Sequence, residues 1–332
     1  MRKIHALSMT ILLAACAVPE QKPDREPGRL PAWPTASEPA RIRWQSHVRQ
    51  PEDLGIKARG FGRIWGALAG EKQQGMVRPY AIDVQGSVFA VSDPGARMVH
   101  VFDQNKRRYL QIAPRDEHAL RSPVGVAFSG DRLFVSDSDA GVVRVFDLAG
   151  DPLFSVDSFE RPTGLTYHEA SQRVYVVDTL ANQVVALSHE GEELLRFGER
   201  GSAPGQMNYP THIAHHGDTL VVNDTMNFRI QKFDLDGKFI GGFGKHGDSS
   251  GHFSQPKGVA VDSNGNIYVA GATIDRVQIF SPSGGFLLAF GGNGPGYGQF
   301  LMPAGLAIED NLIYVADSYN QRVQVFEILD VR

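Results

Sequence analysis

Pro303-Ala304-Gly305-Leu306-Ala307-Ile308, followed by Tyr314-Val315-Ala316-Asp317, Ser318-Tyr319-Asn320-Gln321-Arg322 and Val323-Gln324-Val325-Phe326, is the stretch that decides the fold. It contains three short runs of alternating β-formers separated by turn residues, the pattern of strands joined by tight connections. The leading triplet has counterparts upstream at Pro79-Tyr80-Ala81, Pro123-Val124-Gly125, Pro162-Thr163-Gly164, Pro210-Thr211-His212 and Pro256-Lys257-Gly258, spaced 39 to 48 residues apart. Repeats of that length mark solenoids or rings of like units.

The later parts keep their places too. A second β-type run ends 14 to 16 residues after each proline, at Asp93, Asp137, Asp178, Asp224 and Asp317, with Gly271 in the fifth copy. Nine residues further on, a third run closes at Phe102, Phe146, Leu187, Phe233, Phe280 and Phe326. Most copies add a fourth run, such as Glu193-Leu194-Leu195-Arg196-Phe197. Four short strands per repeat is the composition of a propeller blade, so six copies predict an all-β, six-bladed β-propeller.

These residues resemble the NHL repeat family, whose blades read as Pro-x-Gly, an apolar-Tyr-Val-Ala-Asp strand, then Asn-x-Arg and a closing Val-x-Val-Phe. The resemblance spans about residues 79–332 and is strongest in the copies holding Asp224-Thr225-Met226-Asn227-Phe228-Arg229 and Asp317-Ser318-Tyr319-Asn320-Gln321-Arg322. It implies a fold of four antiparallel strands per blade and says little about function.

The sixth copy stops soon after Phe326 and leaves no room for a fourth strand, so another segment must cover that edge. Arg41-Ile42-Arg43-Trp44-Gln45-Ser46-His47-Val48 alternates like a fourth strand and is assigned to the outside of blade six, joining the two ends of the propeller domain in one sheet. Between it and Pro79, the segment 61–70 places apolar residues at 61, 64, 65 and 68, the spacing of a helix face. That helix is read either as a plug at one end of the ring or as a membrane- or partner-binding element around Trp65.

Met1-Arg2-Lys3, then an apolar run through Ala15, then Cys16, describe an export signal. Leu13-Ala14-Ala15-Cys16 resembles the bacterial lipobox, which implies cleavage after residue 15 and a lipid on Cys16, the sole cysteine. The expected organisation is a signal peptide over 1–15, a proline-rich tether over 16–40 and the propeller over 41–332. Ala17 lacks the aspartate that in lipoproteins signals retention at the inner membrane, so the expected location is the outer membrane facing the periplasm, where the host has one. One thiol excludes intramolecular disulfides and cysteine-rich zinc modules. Processing would leave 31 basic against 37 acidic side chains, a formal charge of −6, with both signs scattered, which offers no nucleic-acid surface.

Several motifs invite chemistry and read more simply as structure. Gly291-Gly292-Asn293-Gly294-Pro295-Gly296-Tyr297-Gly298 suggests a phosphate loop, but Phe290 to Pro303 covers the same thirteen steps as Phe197 to Pro210 and Phe243 to Pro256, so it is a connector between blades. The aspartates fall where strands turn and are expected to accept backbone N–H bonds, with Arg229, Arg276 and Arg322 close enough in sequence to pair with them. NHL-type lyases that cleave amidated-peptide precursors hold zinc with histidines from several blades at the third triplet position. Here that position is Ala81, Gly125, Gly164, His212, Gly258 and Gly305, so no such zinc site, cofactor or catalytic set is expected.

The loops crowding one mouth of the channel should present Tyr80, Arg97, Thr163, Thr211, His212, Met226, Lys257 and Tyr319, with His212 a titratable group in place of a glycine that lets the chain turn. The leading expectation is a monomeric, non-catalytic binding scaffold for an envelope protein, peptide or glycan. The rival class is a metal-dependent lyase or lactonase.

Overall fold

A computed structural model describes residues 30–35, 38–56, 75–114 and 117–329. The expected signal peptide, Cys16 and the segment around Trp65 lie outside the described residues. After β1 (Ala32–Trp33) and β2 (Ile42–Val48), blade one is β3 (Ile82–Gln85), β4 (Val88–Asp93), β5 (Met98–Asp103) and β6 (Arg108–Ile112). Blade two is β7 (Pro123–Ser129), β8 (Arg132–Asp137), β9 (Val142–Asp147) and β10 (Pro152–Val156). Blade three is β11 (Pro162–His168), β12 (Arg173–Asp178), β13 (Gln183–Ser188) and β14 (Glu193–Phe197). Blade four is β15 (Pro210–His216), β16 (Thr219–Asp224), β17 (Arg229–Asp234) and β18 (Phe239–Phe243). Blade five is β19 (Pro256–Val261), β20 (Ile267–Gly271), β21 (Arg276–Phe280) and β22 (Phe286–Gly291), and β23 (Pro303–Glu309), β24 (Leu312–Asp317) and β25 (Arg322–Ile328) begin blade six.

Each blade is an antiparallel sheet in chain order, so the proline-led strand is innermost and the fourth strand outermost. Side chains alternate between sheet faces and fill the space between neighbouring blades. The six residues that close the third strands, from Phe102 to Phe326, are all buried there. Phe89 and Phe102 of blade one, for example, share a core with Tyr314 and Ala316 of blade six.

Gly125, Gly164, Gly258 and Gly305 do not occupy the positive-φ region, contrary to the expectation that they turn the chain. Proximity requires them. A Cβ on Gly125 would stand 2.0 Å from the carbonyl oxygen of Thr163, one on Gly258 2.3 Å from that of Ala304, and one on Gly305 2.4 Å from that of Tyr80. Adjacent inner strands approach more closely than a side chain allows, and in five blades a register break just after the proline accompanies that approach.

Hydrogen bonds between blades fix the same ring. Ser92 Oγ donates to the Val124 carbonyl at 2.8 Å, Ser136 Oγ to that of Thr163 at 2.5 Å, and Asn223 Nδ2 to that of Lys257 at 2.6 Å. Two positions later Ser138, Thr179 and Ser318 donate to the carbonyls of Pro162, Pro210 and Pro79 of the next blade.

Closure follows the sequence assignment. β2 pairs antiparallel with β25, setting Trp44 opposite Phe326 and Val48 opposite Val323, and Trp44 Nε1 donates to Gln324 Oε1 at 2.9 Å. The tether boundary needs correction, because β1 pairs with β2 as a fifth strand of blade six. Trp33 packs against Phe290 and Phe326, with ring centroids 5.8 and 5.9 Å apart. One tryptophan among prolines and charges supplies the buried area that the average composition of 16–40 conceals.

Removing residues 1–50 takes away both outer strands and leaves β25 an unpaired edge. The loss of ladder bonds and apolar contacts should cost about 3–5 kcal/mol. Thermal melts of the truncated and full chains check this, and equal melting temperatures would refute the closure.

Candidate functional site

The residue before the triplet proline in five blades, the residue after it in all six and the first residue of the turn after each second strand meet at one end of the ring. They enclose a cavity of about 570 Å³ with wall residues from all six blades, among them Tyr80, Val124, Thr163, Thr211, Lys257 and Ala304. That is the size of a small-molecule or peptide pocket. Of the eight residues expected at the mouth, Tyr80, Thr163, Thr211, Met226, Lys257 and Tyr319 line it.

The other two do not. Arg97 is exposed in the left-handed region at the end of its turn, outside the wall. His212 is only 7% exposed and lies beneath the cavity, with its ring stacked on that of Tyr80 at 5.6 Å and its Nδ1 3.1 Å from Thr211 Oγ1. Blades one and four face each other across a six-membered ring, so the Tyr80–His212 pair spans the channel and floors the mouth. Lys257 Nζ, from blade five, sits 5.6 Å over the Tyr80 ring and 3.4 Å from its hydroxyl. Burial, and then the Lys257 charge, push the His212 pKa down to about 3, so the titratable mouth residue expected from sequence is a neutral floor residue.

Sequence reading missed Arg78 and Arg161, each immediately before a triplet proline, and Ser138, Thr179 and Ser318, each immediately after a turn aspartate. Their signal is positional, since alignment of the six copies puts those two columns beside the triplet. Arg78 lies 6.0 Å from the Tyr319 ring.

The turn aspartates have the expected role. All five are fully buried, and their carboxylates accept backbone N–H bonds from the residues leading into their own triplets: Val77 and Arg78 to Asp93, Arg121 and Ser122 to Asp137, Glu160 and Arg161 to Asp178, Asn208 to Asp224, and Leu301 to Asp317. Arg229 and Arg322 donate to Asp224 and Asp317 at 2.8 and 2.7 Å. Arg276 departs from expectation: its copy has Gly271 in place of the acid, and its side chain is exposed. Four residues after Gly271, Asp275 makes a different bond, accepting the Met302 N–H that leads into the next blade's triplet at 2.7 Å, as Asn182 does for Tyr209.

Toward the other end of the channel, burial raises the Asp83 pKa to about 7 while the carboxylate accepts the Phe128 N–H at 2.7 Å. Burial, with His168 and His216 nearby, lowers that of His215 to about 4. Among the described residues, no three His, Cys, Asp or Glu side chains converge in a metal-binding geometry. The glycine-rich segment after Phe290 is a connector, as expected. Its Asn293–Phe300 bridge matches Arg200–Met207 and His246–Phe253, and Phe300, Met207 and Phe253 are buried.

With this geometry in place, two family models match parts of the chain: the NHL repeat over residues 300–326, and the SMP-30/Gluconolactonase/LRE-like region over residues 210–289. The chain is a six-bladed β-propeller of NHL/SGL type. It is 29% identical over 121 residues to Protein brain tumor of Drosophila melanogaster, a match covering 36% of this chain and 11% of that protein. Selenomethionine-substituted virginiamycin B lyase from Staphylococcus aureus superposes with a TM-score of 0.57 at 13% identity, covering 76% of this chain and 96% of the lyase. An auxiliary nutrient binding protein from Bacteroides thetaiotaomicron does so with a TM-score of 0.60 at 13% identity, covering 76% and 69%. At such identities the superpositions show a shared fold.

The neutral His212 makes stability depend on pH. Its pKa is about 3 in the fold and 6.5 ordinarily, so below pH 6.5 the unfolded chain binds a proton that the folded chain refuses. This contribution is complete above pH 6.5 and is lost as pH falls, by at most about 1.4 kcal/mol per pH unit. His212→Phe, which keeps a ring against Tyr80, should flatten the fall in stability between pH 6.5 and 5. Urea unfolding at both pH values measures the slope, and an unchanged slope would contradict the assignment.

Proposed function

We propose that this propeller is a binding module of the bacterial cell envelope, held to the membrane by a lipid on Cys16, whose mouth receives a protein, peptide or glycan. The observation that carries the reading is the cavity itself. Its wall is contributed by all six blades, at positions where the copies differ from one another while the glycines and aspartates beneath them recur. Variable side chains on a rigid repeated frame are how propellers and other repeat folds build recognition surfaces. Tyr209, Met226 and Tyr319 stand exposed around the opening, residue types that supply binding energy at interfaces. The export signal and the lone cysteine at the end of its apolar run support the location and the anchor.

Two experiments test the two halves of the proposal. Met226→Arg changes a side chain that is 52% exposed, so its stability should stay within about 0.5 kcal/mol of the parent while retention of the ligand drawn from native envelopes is lost. Retention equal to the parent's would move the site away from the mouth. Cys16→Ser should pass from the membrane to the soluble fraction without change in melting temperature, and its persistence in washed membranes would point to another anchor. A stoichiometric metal ion surviving dialysis, together with turnover of a lactone or lyase substrate, would instead identify an enzyme.

A further inference from the structure

The charged residues that line the mouth are all basic, in a chain whose formal charge is negative. Arg78, Arg161 and Lys257 are its only charged wall residues among those described, and they come from blades one, three and five, alternate positions around the ring. None of them forms an ion pair among the described residues, whereas Arg144, Arg229 and Arg322 are each paired with a turn aspartate. Arg78 and Lys257 rest against the rings of Tyr319 and Tyr80, which leaves their donors unneutralised. The nearby carboxylates cannot compensate them fully, because the turn aspartates are buried behind the wall with backbone N–H groups on their oxygens. A chain of net charge −4 thus directs three uncompensated cations into one cavity.

We propose that the mouth recognises an acidic peptide segment, an inference that rests on the mouth being the binding site. Carboxylates of the segment meet Arg78, Arg161 and Lys257, and its apolar side chains pack on Tyr209, Met226 and Tyr319. Guanidinium and ammonium groups only donate hydrogen bonds, so they match an acceptor-only carboxylate. A neutral sugar presents hydroxyls that must also donate, and this wall has no carboxylate or carboxamide for them, only Ser and Thr hydroxyls of which several are already bonded to one another or to backbone carbonyls. The methionine and tyrosine rim favours peptide side chains over a chain of anionic sugars.

Fluorescence anisotropy with the soluble form lacking residues 1–15 tests this against three probes. They are a labelled pentapeptide alternating Asp with Leu and Tyr, the same peptide with Asn for Asp, and a labelled uronic-acid oligosaccharide. The acidic peptide should bind, weaken as salt rises, and weaken about tenfold in Arg161→Gln and in Lys257→Met, with melting temperatures unchanged. Arg161 is exposed, and Met retains the packing of the Lys257 stem, so both variants should remain folded.

Equal binding of the Asn peptide, abolished by Met226→Arg, would overturn the acidic specificity and keep the mouth as a site. Tighter binding of the oligosaccharide would replace the peptide by an acidic glycan. No binding of any probe would overturn both this inference and the reading beneath it.

Discussion

Six inner strands converge on one channel so closely that backbone meets backbone with no room for a Cβ between them. The 2.0 Å that would separate a Cβ on Gly125 from the Thr163 carbonyl expresses the constraint most plainly. Glycine satisfies it in four blades, and the hydroxyls of Ser92 and Ser136 with the amide of Asn223 satisfy the carbonyls that the approach brings inward. Buried backbone acceptors left unpaired would cost more than these bonds contribute, so glycine and polar donor are two halves of one solution. Ala81 and His212 are the exceptions. They stand on opposite blades, where Gly305 and Gly164 provide the space for them.

The buried aspartates extend the same economy outward. Each carboxylate receives N–H groups from the segment leading into its own blade's triplet, which orients that segment toward the channel. A buried carboxylate needs such partners to remain tolerable. The consequence is electrostatic: acids that a formal charge count would assign to the mouth are consumed by the frame, and the cations beside the prolines have no carboxylate partner among the described residues.

The Tyr80–His212 stack separates the mouth from the rest of the channel. Titratable groups occur on both sides of it, but Asp83 and His215 belong to the far half and to different blades. The cavity is therefore lined by fixed charges and hydroxyls, and the acid sensitivity that His212 confers resides in a ring outside its lining.

Much of this was legible in the linear sequence. Spacing determined six blades of four strands, and the missing fourth run of the last copy the closing role of 41–48, because the periodicity of two and the nine-residue interval are local consequences of pleat and turn. The structural role of the turn aspartates was legible for the same reason, since their partners lie 15 to 18 residues away in the same blade. Tertiary structure decided what depends on neighbours around the ring. It alone revealed that the triplet glycines answer to the next blade rather than to their own φ, and that Trp33 belongs to blade six. It also placed Arg97 outside the cavity and His212 under its floor, and brought Arg78, Arg161 and Lys257 to one wall, because those distances are set by closing a circle of blades and no single repeat contains them.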